Sequence, residues 1–437
     1  MKNRIGIRRE NKDKTEKRTP LTPEQVKKLV NTYKLEIQVE YSPNRIFAVE
    51  EYQQAGATVV ETLQDCNIVF GVKEIPTSDL APGQAYCFFS HTIKGQSFNM
   101  PMLKRMLDLR DTLIDYERVV DKEGKRIIFF GRFAGYAGMI DTFWALGRRL
   151  NWEGIRNPFS SIKQALQYHS LNEAKDAIRE MGKQIEQQGF GKLPSPVIFG
   201  FTGYGQVSKG AQEIFDLLSF QQILPGDLDQ YVKSGKYSDR YIYKVVFREK
   251  DMFAPKDPHS RFILKEYYSQ PEKYRGVFEQ YIPFLTAITN GIYWESQYPR
   301  LVTQKWLEEY FTQEKLPRLK MIADISCDVD GSIECNTKAT NSANPVYVYD
   351  PITHQSIDGV EGRGPVILAV DKLPAELPRE ASRTFGNFLL PFVPQLAKAD
   401  FDAMVENLDI PVEFIPAIIA HKGRLTSAYQ YLSRHVR

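Results

Sequence analysis

The chain has 437 residues, with 57 Lys and Arg against 54 Asp and Glu, a formal charge of +3. Hydrophobic residues make up 42% and charged residues 25%, which excludes a mainly disordered polypeptide. So small a net charge on this length gives no case for a nucleic-acid binder.

No apolar stretch approaches the ~18–20 residues that span a bilayer, so no membrane partner is expected. Met1 leads directly into a strand-like segment, with acids at Glu10 and Asp13, and a cytoplasmic location is the expectation. Cys66, Cys87, Cys327 and Cys335 are widely spaced, as reduced thiols are in a cytosolic chain.

Ile5-Gly6-Ile7-Arg8 reads as a short strand, followed by a basic loop from Arg8 to Arg18. Thr22-Pro23-Glu24-Gln25 has the form of a capping box with proline at the first helical position. Val26, Leu29, Val30 and Tyr33 follow at helical spacing, and Leu35, Ile37, Val39 and Tyr41 alternate as in a half-buried strand. Asp65–Val72, Ala85–Phe89, Thr112–Tyr116 and Arg126–Phe130 are further strand candidates. A glycine-punctuated helix is predicted over Tyr136–Leu150 and a helical stretch over Ile162–Gln188. Pro196–Phe201, Tyr241–Val246 and Leu319–Ile325 read as later strands, and Leu377–Ser382 opens a late helix. The pattern predicts an α/β protein of two Rossmann-like domains with a cleft between them. The boundaries fall at 1–135 with 375–437, the C-terminal segment returning to the first domain, and at 136–374.

Thr202-Gly203-Tyr204-Gly205-Gln206-Val207-Ser208-Lys209-Gly210 follows a strand and precedes a helix expected to start near Lys209. A tight glycine turn at a helix N-terminus presents backbone N–H groups to a pyrophosphate. The spacing is G-x-G-x-x-S, with Ser208 in place of the third glycine of the dinucleotide fingerprint. A plain strand-to-helix turn has the same local pattern. The next strand would carry an acid for the ribose 2′-hydroxyl, but Pro225 stands near that place and Asp227 lies two residues on. A missing acid removes repulsion against a 2′-phosphate and tilts the expectation toward NADPH, with NADH as the alternative.

Lys73 and His91 each follow a predicted strand. Ligands of open parallel sheets sit outside the carboxyl ends of the strands, so the two residues are predicted to share one edge. Arg18, Arg126 and Arg132 lie at strand ends or in adjoining loops, where guanidinium forks bind carboxylates. Glu117 ends another strand and is placed to hold a neighbouring amine or imidazole charged. The other histidines are scattered and form no metal-ligand spacing.

Ile5–Glu10 with Arg18–Pro23 resembles the opening of the alanine dehydrogenase, transhydrogenase and saccharopine dehydrogenase superfamily. Gly71–Lys73, Phe88–Lys94, Leu113–Glu117, Phe201–Ala211, Asn290–Glu295 and Ala323–Ser326 resemble the lysine–2-oxoglutarate reductase half of the bifunctional animal and plant lysine-degrading enzyme. The resemblance implies an enzyme that joins L-lysine to 2-oxoglutarate and reduces the imine to saccharopine. It implies Lys73 and His91 as the acid/base pair tuned by Glu117, with Arg18, Gln96, Arg126 and Phe130 lining the substrate site. Arg132 is grouped with these as a further carboxylate binder. The dinucleotide would be held by Gly203, Tyr204, Gly205, Gln206, Val207 and Ser208, with Ile292, Asp324 and Ser326 nearby.

Glu74 follows the lysine as in fungal members, and Lys125 stands where those have a second arginine. The resemblance ends near the close of the reductase half, so a second step is expected to need another protein. An NAD-linked, lysine-forming saccharopine dehydrogenase and a non-catalytic lysine or nucleotide sensor on the same fold are the alternative readings.

Overall fold

Short apolar runs near the start of the chain fold as β1 (Arg4–Ile7), β2 (Glu36–Glu40), β3 (Thr58–Val60), β4 (Ile68–Phe70), β5 (Ala85–Phe88) and β6 (Thr112–Asp115). All six run parallel. In β4, β5 and β6 every residue is buried, as in strands covered on both faces. The protein is seen here as a computed structural model that describes residues 3–13 and 15–436.

The helix Pro23–Tyr33 starts where the capping signal predicts, but half of the box is rewired. Gln25 Oε1 accepts the Thr22 N–H at 2.8 Å and also the Thr22 hydroxyl at 3.0 Å. The Gln25 amide then donates to the Arg383 carbonyl and to Asn387 Oδ1, tying the start of the chain to a helix far along it.

The second compact unit is Gly131–Leu377. It opens with a helix, Gly131–Trp152, longer at both ends than its glycines suggest. Of the predicted helical stretch after it, only Leu171–Gln188 is a regular helix, begun by Ser170 Oγ accepting the Glu173 N–H. The strands are β7 (Ile198–Thr202), β8 (Phe220–Gln222), β9 (Ile242–Phe247), β10 (Phe253–Pro255), β11 (Tyr274–Gly276), β12 (Ala287–Asn290), β13 (Met321–Asp324), β14 (Val346–Tyr349), β15 (Ser356–Asp358) and β16 (Val366–Leu368). β10 and β11 form a separate antiparallel pair, and the other eight form one sheet in the order β15-β14-β16-β13-β12-β7-β9-β8. The six strands from β16 to β8 are parallel, and β14 and β15 add an antiparallel edge.

From Pro378 the chain returns to the first unit, which holds the residues up to Phe130 and those from Pro378 onward. The helix Pro378–Leu389 leads to β17 (Ile418–His421) and β18 (Arg424–Leu425). The first sheet is then β18-β17-β6-β5-β4-β1-β2-β3, with β17 antiparallel to β6. This return explains a failed expectation. Arg126–Phe130 is not a strand; only a single Val120–Arg126 bridge forms. The place beside β6 is taken by β17, and the aromatic end of the segment packs on the returning helix instead. Phe130 stacks on Phe385 at 4.8 Å between centroids, and Phe129 on Phe388 at 5.5 Å.

Candidate active site

In the first sheet, β1, β4, β5 and β6 are neighbours and parallel, so the loops after them emerge on one edge. Lys73 follows β4, His91 follows β5 and Glu117 follows β6. The two proton-carrying side chains therefore stand at the carboxyl ends of adjacent strands, on the edge where such sheets bind ligands.

Three buried carboxylates organise this edge, and the motif reading singles out none of them as a site residue. Glu10, beyond the end of β1, accepts the N–H groups of Val72 at 2.8 Å and Lys73 at 2.9 Å. Burial pushes its carboxyl up, against the pull of Arg8. It fixes the backbone that carries the lysine. Glu16 holds Arg18 in a fork, with Nε at 2.7 Å and Nη2 at 2.6 Å. Although burial acts upward on Glu16, the Arg18 and Lys73 charges and the Arg18 hydrogen bonds hold its carboxyl below the ordinary range. Glu74 Oε1 lies 2.8 Å from His91 Nδ1 and 2.8 Å from Lys12 Nζ. Here too burial acts upward, but the His91 and Lys12 contacts outweigh it and the carboxyl is held well below its usual value.

Glu117 has a cation partner of its own. Its carboxylate pairs with Arg126 at 3.0 Å, and Arg126 Nε also reaches the Glu117 carbonyl at 3.3 Å. The acid on the imidazole is Glu74. The signal for it was positional: it directly follows Lys73 at a strand end. Behind the loop, Asp115 accepts the Ser90 N–H at 3.1 Å and the Ser90 hydroxyl. Burial and the neighbouring Glu117 push Asp115 up to about 6.

His91 takes φ +48°, a left-handed conformation unusual for a residue with a side chain. Its ring lies nearly parallel to Phe89, 6.2 Å away. Phe89, Tyr116, Phe130 and Phe385 form an apolar floor. The Arg18 guanidinium lies 4.3 Å over the Phe130 ring, so Phe130 carries the arginine as well as walling the site. Gln96, in the loop after His91, keeps a buried side-chain oxygen without a hydrogen-bond partner.

In the second unit the glycine cluster forms the predicted strand–turn–helix. Gly203 has φ +75°, and a Cβ there would lie 2.9 Å from Ile292 Cγ2. Gly205 precedes the helix Gln206–Phe215, which starts earlier than expected, and a Cβ on Gly205 would meet nothing within 4 Å. Backbone can thus approach a ligand closely at a helix N-terminus whose first N–H groups have no helical partner. This turn fits a pyrophosphate.

Ser208 is buried, and its hydroxyl donates to the Gly203 carbonyl at 2.8 Å, bracing the turn from inside. The close-packing role of a third glycine passes to Gly210, where a Cβ would lie 2.2 Å from the Arg132 carbonyl oxygen. Val207 sits against Gly291, and Tyr204 is 44% exposed at the rim.

Two further site candidates have protein partners of their own. Arg132, read as a substrate ligand, belongs to the second unit. Its guanidinium pairs with Glu213, with Nε at 3.2 Å, and reaches Gln206 Oε1 at 3.1 Å. Asp324, read as lying by the cofactor, is fully buried and accepts from Asn290 at 2.9 Å, Asn336 at 2.8 Å and Ser326 at 2.6 Å. Its carboxylate is spent on those donors. Asn290, which also accepts the Thr202 hydroxyl at 2.6 Å, links the ends of β7, β12 and β13 through it.

The strand expected to carry the ribose acid is not the one beside the glycine strand. β8, the strand after the glycine helix, lies at the sheet edge with β9 between it and β7. Pro225 and Asp227 follow that edge strand. On that side of the sheet the neighbour of the glycine strand is β9, which ends at Phe247.

Comparisons with known proteins agree with this architecture. Residues 6–137 match the alanine dehydrogenase/PNT N-terminal domain family. Over 98% of its length the chain is 38% identical to the α-aminoadipic semialdehyde synthase of Arabidopsis thaliana, covering 41% of that protein. It is 26% identical to the saccharopine dehydrogenase [NAD(+), L-lysine-forming] of Emericella nidulans, over 90% of this chain and 92% of the other. A solved L-alanine dehydrogenase shares the fold at TM-score 0.62 and 18% identity, over 99% of this chain and all of that one. The chain spans less than half the length of the semialdehyde synthases it matches.

Proposed function

We propose the activity of an NADPH-dependent lysine–2-oxoglutarate reductase forming saccharopine for this chain, whose residues 6–137 match the alanine dehydrogenase/PNT N-terminal domain family and which is similar over 98% of its length to part of an α-aminoadipic semialdehyde synthase. The observation that carries this reading is the pair Lys73 and His91 at the ends of adjacent parallel strands, each anchored by its own buried carboxylate.

The chemistry needs two proton carriers. Free lysine is an ammonium at neutral pH, with a reference pKa near ~10.4, so a base must uncover the amine that attacks the keto carbon. The carbinolamine then needs an acid to lose water as the imine forms. With Glu74 ionised on Nδ1, the His91 ring donates there and leaves Nε2 to exchange protons with substrate. Lys73, on a backbone fixed by Glu10, is the second carrier. Arg18, seated on Phe130 and forked to Glu16, supplies a held cation for a product with three carboxylates, and Arg126 a more exposed one. Bound at the Gly203–Ser208 turn, the dinucleotide would supply the hydride. Gly203 and Gly205 give its phosphates backbone access, and Ser208 keeps the turn closed behind them.

The test is nicotinamide absorbance with purified protein. Oxidation of NADPH that requires both lysine and 2-oxoglutarate is expected. Turnover with NADH instead favours the lysine-forming saccharopine dehydrogenase reading, the activity in the name of the Emericella nidulans relative. Ligand-induced thermal stabilisation without turnover would leave a sensor and end the catalytic proposal.

A further inference from the structure

We propose that Arg248 is the residue that reads the adenosine 2′-phosphate of the cofactor; this rests on the dinucleotide reading above and deepens it. The inference comes from strand order. β9 pairs with β7 along its length, with Phe247 opposite Thr202. The N–H of Gly203, in the glycine turn itself, donates to the Phe247 carbonyl at 2.9 Å. The first residue past β9 is therefore fastened one hydrogen bond from the turn that would carry the pyrophosphate. That residue is Arg248. In a dinucleotide domain the end of the strand beside the glycine strand faces the adenosine ribose.

Side-chain evidence points the same way. The glycine turn and Glu249, the residue after Arg248, line a cavity of about 330 Å³ with Tyr204, Ile292 and Tyr293, and Arg248 stands beside it rather than in its wall. The Arg248 guanidinium lies 5.7 Å from the Tyr204 ring centroid, over a residue between the two glycines. Among the described residues no carboxylate forms an ion pair with it. Arg248 is exposed, its backbone N–H is held by Asp251 at 2.9 Å, and its fork is available to an arriving phosphate. The rival is Glu249, an acid that would select the unphosphorylated ribose. Its carboxylate already accepts the Tyr268 hydroxyl at 2.8 Å, and it stands one residue further from the strand end.

The test is calorimetric binding of two cofactor fragments to the whole chain, adenosine 2′,5′-bisphosphate and AMP. Wild type is expected to prefer the bisphosphate by about 10-fold or more, the scale of a hydrogen bond to a charged group. Arg248→Ala and Arg248→Gln should erase that preference and leave AMP affinity unchanged, and Arg248→Lys should keep part of it. Equal affinities in wild type, or a preference that survives Arg248→Ala, overturn the assignment while a dinucleotide site stands. AMP binding that collapses in Glu249→Gln but ignores Arg248→Ala assigns the ribose to the acid and overturns it equally. Absence of binding by either fragment removes both this assignment and the dinucleotide reading.

Discussion

Replacing Gly210 by alanine tests how the dinucleotide turn is seated. In a helix interior this exchange ordinarily stabilises by about 1 kcal/mol. Here the added Cβ would lie 2.2 Å from the Arg132 carbonyl oxygen and 3.1 Å from its carbon, whereas ordinary contact begins at 3.4 Å. The helices Gly131–Trp152 and Gln206–Phe215 must then part by 3.4 − 2.2, about 1.2 Å. Backbone is the obstacle, so no rotamer change relieves it. Overpacking costs about 1–3 kcal/mol. Taking its upper half and subtracting the propensity gain leaves a net loss of about 1–2 kcal/mol.

The sign is the diagnostic, because propensity alone predicts the opposite. Gly135 is the facing residue, with a Cβ 2.1 Å from the Val207 carbonyl oxygen. Gly135→Ala should cost a similar amount, and the double variant less than the sum, because the first methyl has already parted the helices. Urea unfolding followed by tryptophan fluorescence reads this directly, since Trp144 and Trp152 lie on the first of the two helices. A Gly210→Ala midpoint equal to or above wild type would refute the reasoning.

Lys73→Met and His91→Gln should each lower turnover by about 10²-fold or more, the usual scale for general acid–base groups; near-native rates in both remove them from the mechanism. Asp111, buried at the foot of β6, is pushed from 3.8 up to about 7 by burial. Its folded form holds a proton that the unfolded chain gives up, so stability should fall as pH rises from about 4 through 7. Asp111→Asn should flatten that slope in melts across this range, and an unchanged slope rejects the assignment. Glu74 has the reverse sign. Its depressed carboxyl contributes stability above its ordinary 4.5 that is lost as the solution is acidified. Glu74→Gln should lack that acid-side loss, and an identical acid limb in the variant would count against the His91–Glu74 contact.

Local pattern revealed the apolar strands β1, β2, β4 to β7, β9 and β13 and the residues that follow them; it did not reveal the other strands, and it marked Arg126–Phe130 as a strand that does not form. Runs such as Ile68–Phe70 and Ala85–Phe88 are apolar at every position because both faces are covered. That is why Lys73 and His91 could be set on one edge, and why a strand–glycine–helix unit was legible at Thr202–Gly210. Tertiary structure decided the partners. β17 closes the place beside β6, so Arg126–Phe130 turns its aromatic end onto the Pro378–Leu389 helix. β9, not β8, lies against β7, so the first residue past the strand beside the glycine strand is Arg248, whereas Pro225 and Asp227 follow the edge strand. Glu74 rather than Glu117 meets the imidazole, and Asp324 spends its charge on Asn290 and Asn336. The physical difference is range. A strand or a turn is dictated by neighbours a few residues away. The order of strands, and which carboxylate a cation finds, follow from surfaces brought together across the whole chain.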